Sequence, residues 1–235
     1  MKKIAIALLC LALICHEARA QDVVLDPCPP NANVPINIVP VFEEPTYNYD
    51  ASIPDLQVLS QDAYHVIPEG LTLGLTHYQP MLRVNPVSLA RDLPDGTTCV
   101  QVDHVDISFG YRNVVVYIAN EIPQGTCGFD EVMGHEQKHV AVQKQILADF
   151  IPTLQSRLKD YLAQNGSFRG NDYGEAVTWM HDNVQYVAQD TINQVLNENT
   201  RLQHNIDTVE EYTRVGNACG GQLHGVVHNF MQNGQ

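Results

Sequence analysis

Near residue 125 the spacing of apolar residues along this 235-residue chain changes from every second position to a helical period of about 3.6. Upstream, Val100 and Val102 alternate with polar neighbours, slip by one place, and resume as Val105, Ile107 and Phe109. Gly110-Tyr111-Arg112-Asn113 then reads as a turn, and Val114 to Ala119 as a returning strand. This predicts a β-hairpin with a bulge near His104. Downstream of Pro123, Gly125 and Gly128, Asp130 is placed to cap a helix whose stripe is His135, His139, Val142, Ile146 and Phe150. Pro152 allows a break or kink, Leu154, Leu158 and Leu162 continue, and Asn165-Gly166 stops the run. A second long helix is predicted from the stripe Tyr173, Val177, Met180, Val184, Ala188, Ile192, Val195, Leu202, Ile206 and Val209. Strands first and helices later is the order of an α+β domain, here with N-terminal short strands and a hairpin followed by two long helices.

The ends of the chain set the compartment. Met1-Lys2-Lys3, an apolar run from Ile4 to Ile14, and Ala18-Arg19-Ala20 read as a signal peptide over residues 1–20, cleaved near Ala20. Leu9 and Ile14 stand where lipidation of Cys10 or Cys15 would need a small residue. The expected location is periplasmic or secreted, and no later stretch reaches the roughly 20 apolar residues of a membrane span. Residues 21–98 hold most of the prolines, with short apolar runs at Ile36–Phe42 and Leu71–His77 and a turn signal at Pro94-Asp95-Gly96. Residues 99–221 form the candidate catalytic part, and 222–235 a C-terminal tail. A formal charge of -14 argues against nucleic acid and against anionic membrane surfaces as partners. Four cysteines outlast the leader, and an even number in an exported chain predicts disulfides. If the hairpin brings Cys99 and Cys127 to one open end, they pair, and Cys28 joins Cys219 by elimination.

His135-Glu136-Gln137-Lys138-His139 is an H-E-x-x-H motif. Histidines four apart stack on one helix face and can approach one Zn²⁺, while Glu136, a quarter-turn aside, reaches a water at the metal as general base. Zinc suits the arrangement because it accepts three protein ligands and one exchangeable position. The third ligand is not a histidine of the extended metzincin form, since Val142 and Gln145 occupy the places that form reserves for Gly and His. A carboxylate from the second helix is expected instead, with Glu175, Glu198, Glu210, Glu211, Asp172, Asp182, Asp190 and Asp207 as candidates. Measured from Ile206 on a continuous helix, Glu210 lies about 40° away, Asp207 about 100° and Glu211 about 140°, which selects Glu210. Glu175 also reads as a first-turn acid favoured by the helix dipole. His224 and His228 are four apart but lack an intervening acid and read as a surface pair. Tyr212 and Arg214 are candidates for stabilising an oxyanion beside the metal.

These residues together resemble a bacterial family of predicted secreted zinc-dependent proteases. The resemblance covers roughly residues 70 to 221 and rests on Cys99 opening a strand, the helix from His135 to Val140, and the stretch Glu210-Glu211-Tyr212-Thr213-Arg214-Val215-Gly216. The family pattern in that stretch is an acid, a Thr three places on, and a His-Gly pair. Here these positions are Glu210, Thr213, Val215 and Gly216, so either the acid is the third ligand or a ligand is replaced by Val215. The resemblance implies a zinc metallopeptidase acting on a peptide or protein substrate. A strand at Val114–Ala119 would hold that substrate by edge pairing. The rival reading is a non-catalytic exported scaffold that binds zinc or a partner.

Overall fold

A computed structural model describes residues 28–62 and 71–233. The leader expected over residues 1–20 lies outside them. The chain folds as a mixed α/β structure with strands early and long helices late: β1 (Ile36–Phe42), β2 (Thr46–Asn48), α1 (Ile53–Asp62), β3 (Gly74–Asp92), β4 (Thr98–Ile118), α2 (Cys127–Asn165), β5 (Ser167–Gly170), α3 (Tyr173–His204) and α4 (Val209–Asn233). None of the described helices is long and apolar enough to cross a membrane.

The hairpin expected within residues 99–119 is instead one continuous strand, β4, of 21 residues. Its buried residues explain both the correct and the mistaken part of that expectation. Val100 and Val102 face the core, then Val105, Ile107, Phe109 and Tyr111, then Val114, Val116 and Ile118, each at most 1% exposed. The phase slips twice because β4 carries two bulges. One extra residue lies between Val102 and His104 opposite Ser88 and Val87, and another between Arg112 and Val115 opposite Gln79 and His77. Each insertion returns the apolar side chains to the same face. The first matches the predicted bulge near His104. The second, where Asn113 takes φ +49°, was read as a turn. Gly110 sits in mid-strand because β1 crosses there: a Cβ would collide with the Val41 carbonyl.

The antiparallel hairpin is formed by β3 and β4, joined at Leu93–Thr97. Gly96 at φ +85° makes that turn, and the Asp95 carboxylate accepts from the Thr97 amide and hydroxyl. On its other side β4 pairs with β5, β1 and β2 in succession. Val114–Ala119 is therefore interior to the sheet for its strand residues, which removes edge pairing there. The division expected at residue 98 falls inside this hairpin.

Thr126, rather than Asp130, caps α2, its hydroxyl accepting from the Phe129 amide. The helix passes through Pro152 and ends at Gly166. Leu154, Leu158 and Leu162 of α2 and Met180, Val184, Ala188, Ile192 and Val195 of α3 pack with the β4 valines in one core. Fully burying an aliphatic side chain contributes about 1.5–3 kcal/mol, so this triple layer fixes α2 against the sheet.

Both disulfides differ from the expected pairing. Cys28 bonds Cys99, and Cys127 bonds Cys219. With no turn at Gly110–Asn113, Cys99 at the start of β4 and Cys127 beyond its far end are separated by roughly 60 Å of extended strand. Residues 222–233, expected as a tail, are helical and contribute Leu223, only 2% exposed, to a second core cluster with Phe129, Val132 and Val215.

Candidate metal centre

The long C-terminal helix is broken where the sequence predicts continuity. α3 stops at His204, residues 205–208 form a turn, and α4 starts at Val209. Thr208 caps α4, its hydroxyl accepting from the Glu211 amide. Glu210 therefore does not continue the face of Ile206, as it would on an unbroken helix. Glu210 is exposed, while Asp207, freed from helical geometry by the turn, points its carboxylate at the two histidines.

His135, His139 and Asp207 converge from α2 and this turn. His135 Nε2 is 3.1 Å from Asp207 Oδ1, His139 Nε2 is 3.2 Å from the same oxygen, and the two Nε2 atoms are 3.2 Å apart. Donors held about 2.0–2.1 Å from a tetrahedral centre are spaced about 3.3–3.4 Å from one another, so the triangle has the right dimensions for a small divalent cation.

The outer partners set the tautomers. His139 Nδ1 donates to Gln203 Oε1 at 2.5 Å, and His135 Nδ1 donates to Glu211 Oε1 at 3.5 Å. Both Nε2 atoms of the neutral rings are then lone-pair donors turned toward a carboxylate oxygen. Three acceptors facing one another are repulsive unless a cation or a proton lies between them, and bonds of this kind to the far ring nitrogen orient metal-binding histidines. The field at this point favours positive charge. Burial alone would lower the His139 pKa, but Asp207, Glu136 and the Gln203 oxygen outweigh it and push it up to about 9. Burial would raise the Asp207 pKa; His135 and His139, when a proton rather than a cation sits on Nε2, together with Tyr212 override it and hold it well below the carboxylate range.

Each outer partner is itself held. Gln203, fully buried, donates to the His139 carbonyl and to Asn199, which donates to the Tyr78 hydroxyl at 2.6 Å. Glu211 accepts from Lys138 at 2.5 Å and from Arg214 Nε and Nη2 at 2.9 Å, and Arg214 Nη1 donates to Glu131. Arg214, expected beside an oxyanion, is thus committed to this ion network. Burial and the Asp207 carboxylate raise the Tyr212 pKa, and its ring lies 5.7 Å from that of His135.

Glu136 faces β3 and is buried. The Thr76 hydroxyl is shared between the Glu136 carboxylate, at 2.8 Å, and its backbone carbonyl, at 3.1 Å. Gly74 permits the approach: a Cβ there would stand 2.6 Å from Glu136 Oε1. Burial raises the Glu136 pKa, against the pull of His139, His135 and the Thr76 bond. A cleft of about 360 Å³ opens beside the triad and Glu136.

The other sequence candidates lie elsewhere. Asp172 caps α3 by accepting from the Glu175 amide, and Glu175 reaches back to the Asn171 amide, a reciprocal cap at the far end of α3, roughly 45 Å from Gln203 along the helix. Glu198 and Asp190 pair with Arg201 and Arg157. His224 and His228 are both exposed on α4, His224 bonding Asn217 and His228 bonding Gln232. Gln203 and Thr76 carried no sequence signal. Asp207 carried one: Thr208-Val209-Glu210-Glu211 is a capping pattern that would end the preceding helix. No protein-family model, curated protein or solved structure matches this chain.

Proposed function

We propose that the protein is an exported zinc metallopeptidase in which His135, His139 and Asp207 hold the metal and Glu136 is the general base. The observation that carries this reading is the triangle of two Nε2 atoms and one Oδ1, with edges of 3.1–3.2 Å, whose ring nitrogens are oriented from behind by Gln203 and Glu211. Two imidazoles and a carboxylate are a donor set that zinc accepts with one position left for exchange. Zinc, when bound, would acidify a water and polarise a peptide carbonyl.

The remaining work falls to the chain's own groups. Glu136, with its basicity raised by burial, takes a proton from the attacking water and delivers it to the leaving amine. Thr76 fixes its carboxylate so that no rotamer search precedes the transfer. Tyr212 and the turn at 205–208 hold Asp207 in place. The apolar walls of the cleft exclude bulk water and strengthen these electrostatic contacts.

A purely structural zinc site closes all four positions with protein ligands. Among the described residues the cluster has three, and it borders a cleft holding a buried carboxylate. That favours catalysis over the scaffold reading. Elemental analysis of the purified protein should give one zinc per chain, and Glu136→Gln should retain the metal while losing peptide hydrolysis. Equal turnover by Glu136→Gln discards the mechanism; failure to bind zinc discards the site.

A further inference from the structure

Away from the triad, the larger part of the cleft wall is aliphatic, with Tyr212 and His224 at its polar side. Leu75 comes from the start of β3 and Leu71 and Leu73 from the residues just before it, Val132 from α2 one turn before His135, and Val215, Leu223 and Val227 from α4. α4 contributes from both sides of an interruption at Ala218–Gly221, where Cys219, Gly220 and Gly221 all have positive φ. That turn lets its two halves face the same space. Cys219 is tied to Cys127 at the first residue of α2, and the Gly128 amide donates to Gln222 Oε1 at 2.9 Å. The aliphatic wall and the metal-binding helix are therefore one pinned assembly, formed before any ligand arrives.

The polar groups in this space are already engaged. Thr76 is bonded to Glu136, the Thr72 hydroxyl to Ser60, and His224 to Asn217. Apart from the triad and Glu136, the described lining residues include no Asp, Glu, Lys or Arg, and Lys138 and Arg214 are turned to Glu211 and Glu131 outside it. Against the aliphatic wall, away from Glu136, Asp207 and His224, a charged side chain would lose its hydration without a counter-ion, whereas a hydrocarbon would exchange water for seven aliphatic neighbours.

We infer that this cleft receives a leucine- or methionine-sized aliphatic side chain next to the bond presented to the triad, so that the substrate class is peptides with such a residue at the cleavage site. This rests on the metallopeptidase reading and specifies its substrate. A hydrogen-bonding pocket would select one partner sharply; an aliphatic one ranks side chains by size and rejects charge.

The test is calorimetric binding of four short peptidyl hydroxamates to the zinc-loaded chain, identical except for one side chain: isobutyl, methyl, carboxyethyl or aminobutyl. The isobutyl compound should bind at least tenfold more tightly than the methyl, and the two charged compounds at least a hundredfold more weakly than the isobutyl. Val227→Asp, at a half-buried position of the wall, should raise aminobutyl binding at least tenfold and weaken isobutyl binding. The wild-type series decides the question even if that variant does not fold. Equal affinity across the four side chains overturns the aliphatic site and leaves the metal reading intact. Failure of every hydroxamate to bind the zinc-loaded protein overturns both.

Discussion

Asp207 Oδ1 lies 3.1 Å from His135 Nε2 although 72 residues separate them, and Glu210, one residue beyond the start of the next helix, is turned to solvent. The turn at 205–208 thus decides which acid faces the two histidines. Asp207→Asn, which keeps the shape but removes the charge, should weaken zinc binding by more than the ten- to hundredfold typical of an outer partner. Glu210→Gln should leave it unchanged. Competition titration against a chromogenic chelator reads both, and the reverse result would return the third ligand to Glu210.

Gln203 orients His139 from behind, so its effect on the metal is indirect and separable. Gln203→Met removes the acceptor at nearly constant volume and should cost ten- to hundredfold in zinc affinity with helical content unchanged by circular dichroism. Gln203→Glu keeps an acceptor oxygen and should restore most of the affinity. If both variants bind zinc like the wild type, the contact is packing and nothing more.

The motif helix and its two histidines were legible in the sequence because a helical period fixes which residues share a face. So were β1, the Pro94–Gly96 turn and the stop at Gly166, each of which depends on neighbours in the chain. What was hidden depends on distant partners. The second bulge in β4 presents Gly110-Tyr111-Arg112-Asn113, a turn-like string, but β1 and β3 on either side hold the strand straight through it. That single misreading also produced the wrong disulfides. Asp207 was set aside because an apolar stripe looked continuous from Tyr173 to Val209, although Asn205, Asp207 and Thr208 are residues that favour turns and caps.

The pairing of the cysteines has a direct chemical readout. Peptide mapping without reduction should recover Cys28 joined to Cys99 and Cys127 joined to Cys219. The bonds close loops of 71 and 92 residues, for which chain entropy alone gives about 4.5 kcal/mol each as an upper value. Replacing Cys127 and Cys219 by Ser should lower the urea midpoint accordingly. Because that bond also pins α4 to α2, it should lower isobutyl hydroxamate affinity as well, an effect absent from the Cys28–Cys99 double replacement.

Two glycines on neighbouring elements should respond to the same substitution with opposite signs. Gly110 lies in mid-β4, and any Cβ there meets the Val41 carbonyl of β1, a backbone atom with no freedom to withdraw. Gly110→Ala should therefore destabilise the protein by about 1–3 kcal/mol or more, as overpacking does. Gly134 immediately precedes His135 inside α2, with nothing within 4 Å of the position its Cβ would occupy. Gly134→Ala should stabilise by about 0.5–1 kcal/mol through helix propensity, with zinc affinity unaltered. Urea unfolding measures both. A loss of stability at Gly134 would mean that the space beside the motif helix is filled in solution, and a neutral Gly110→Ala would mean that β1 does not run against β4 at Val41.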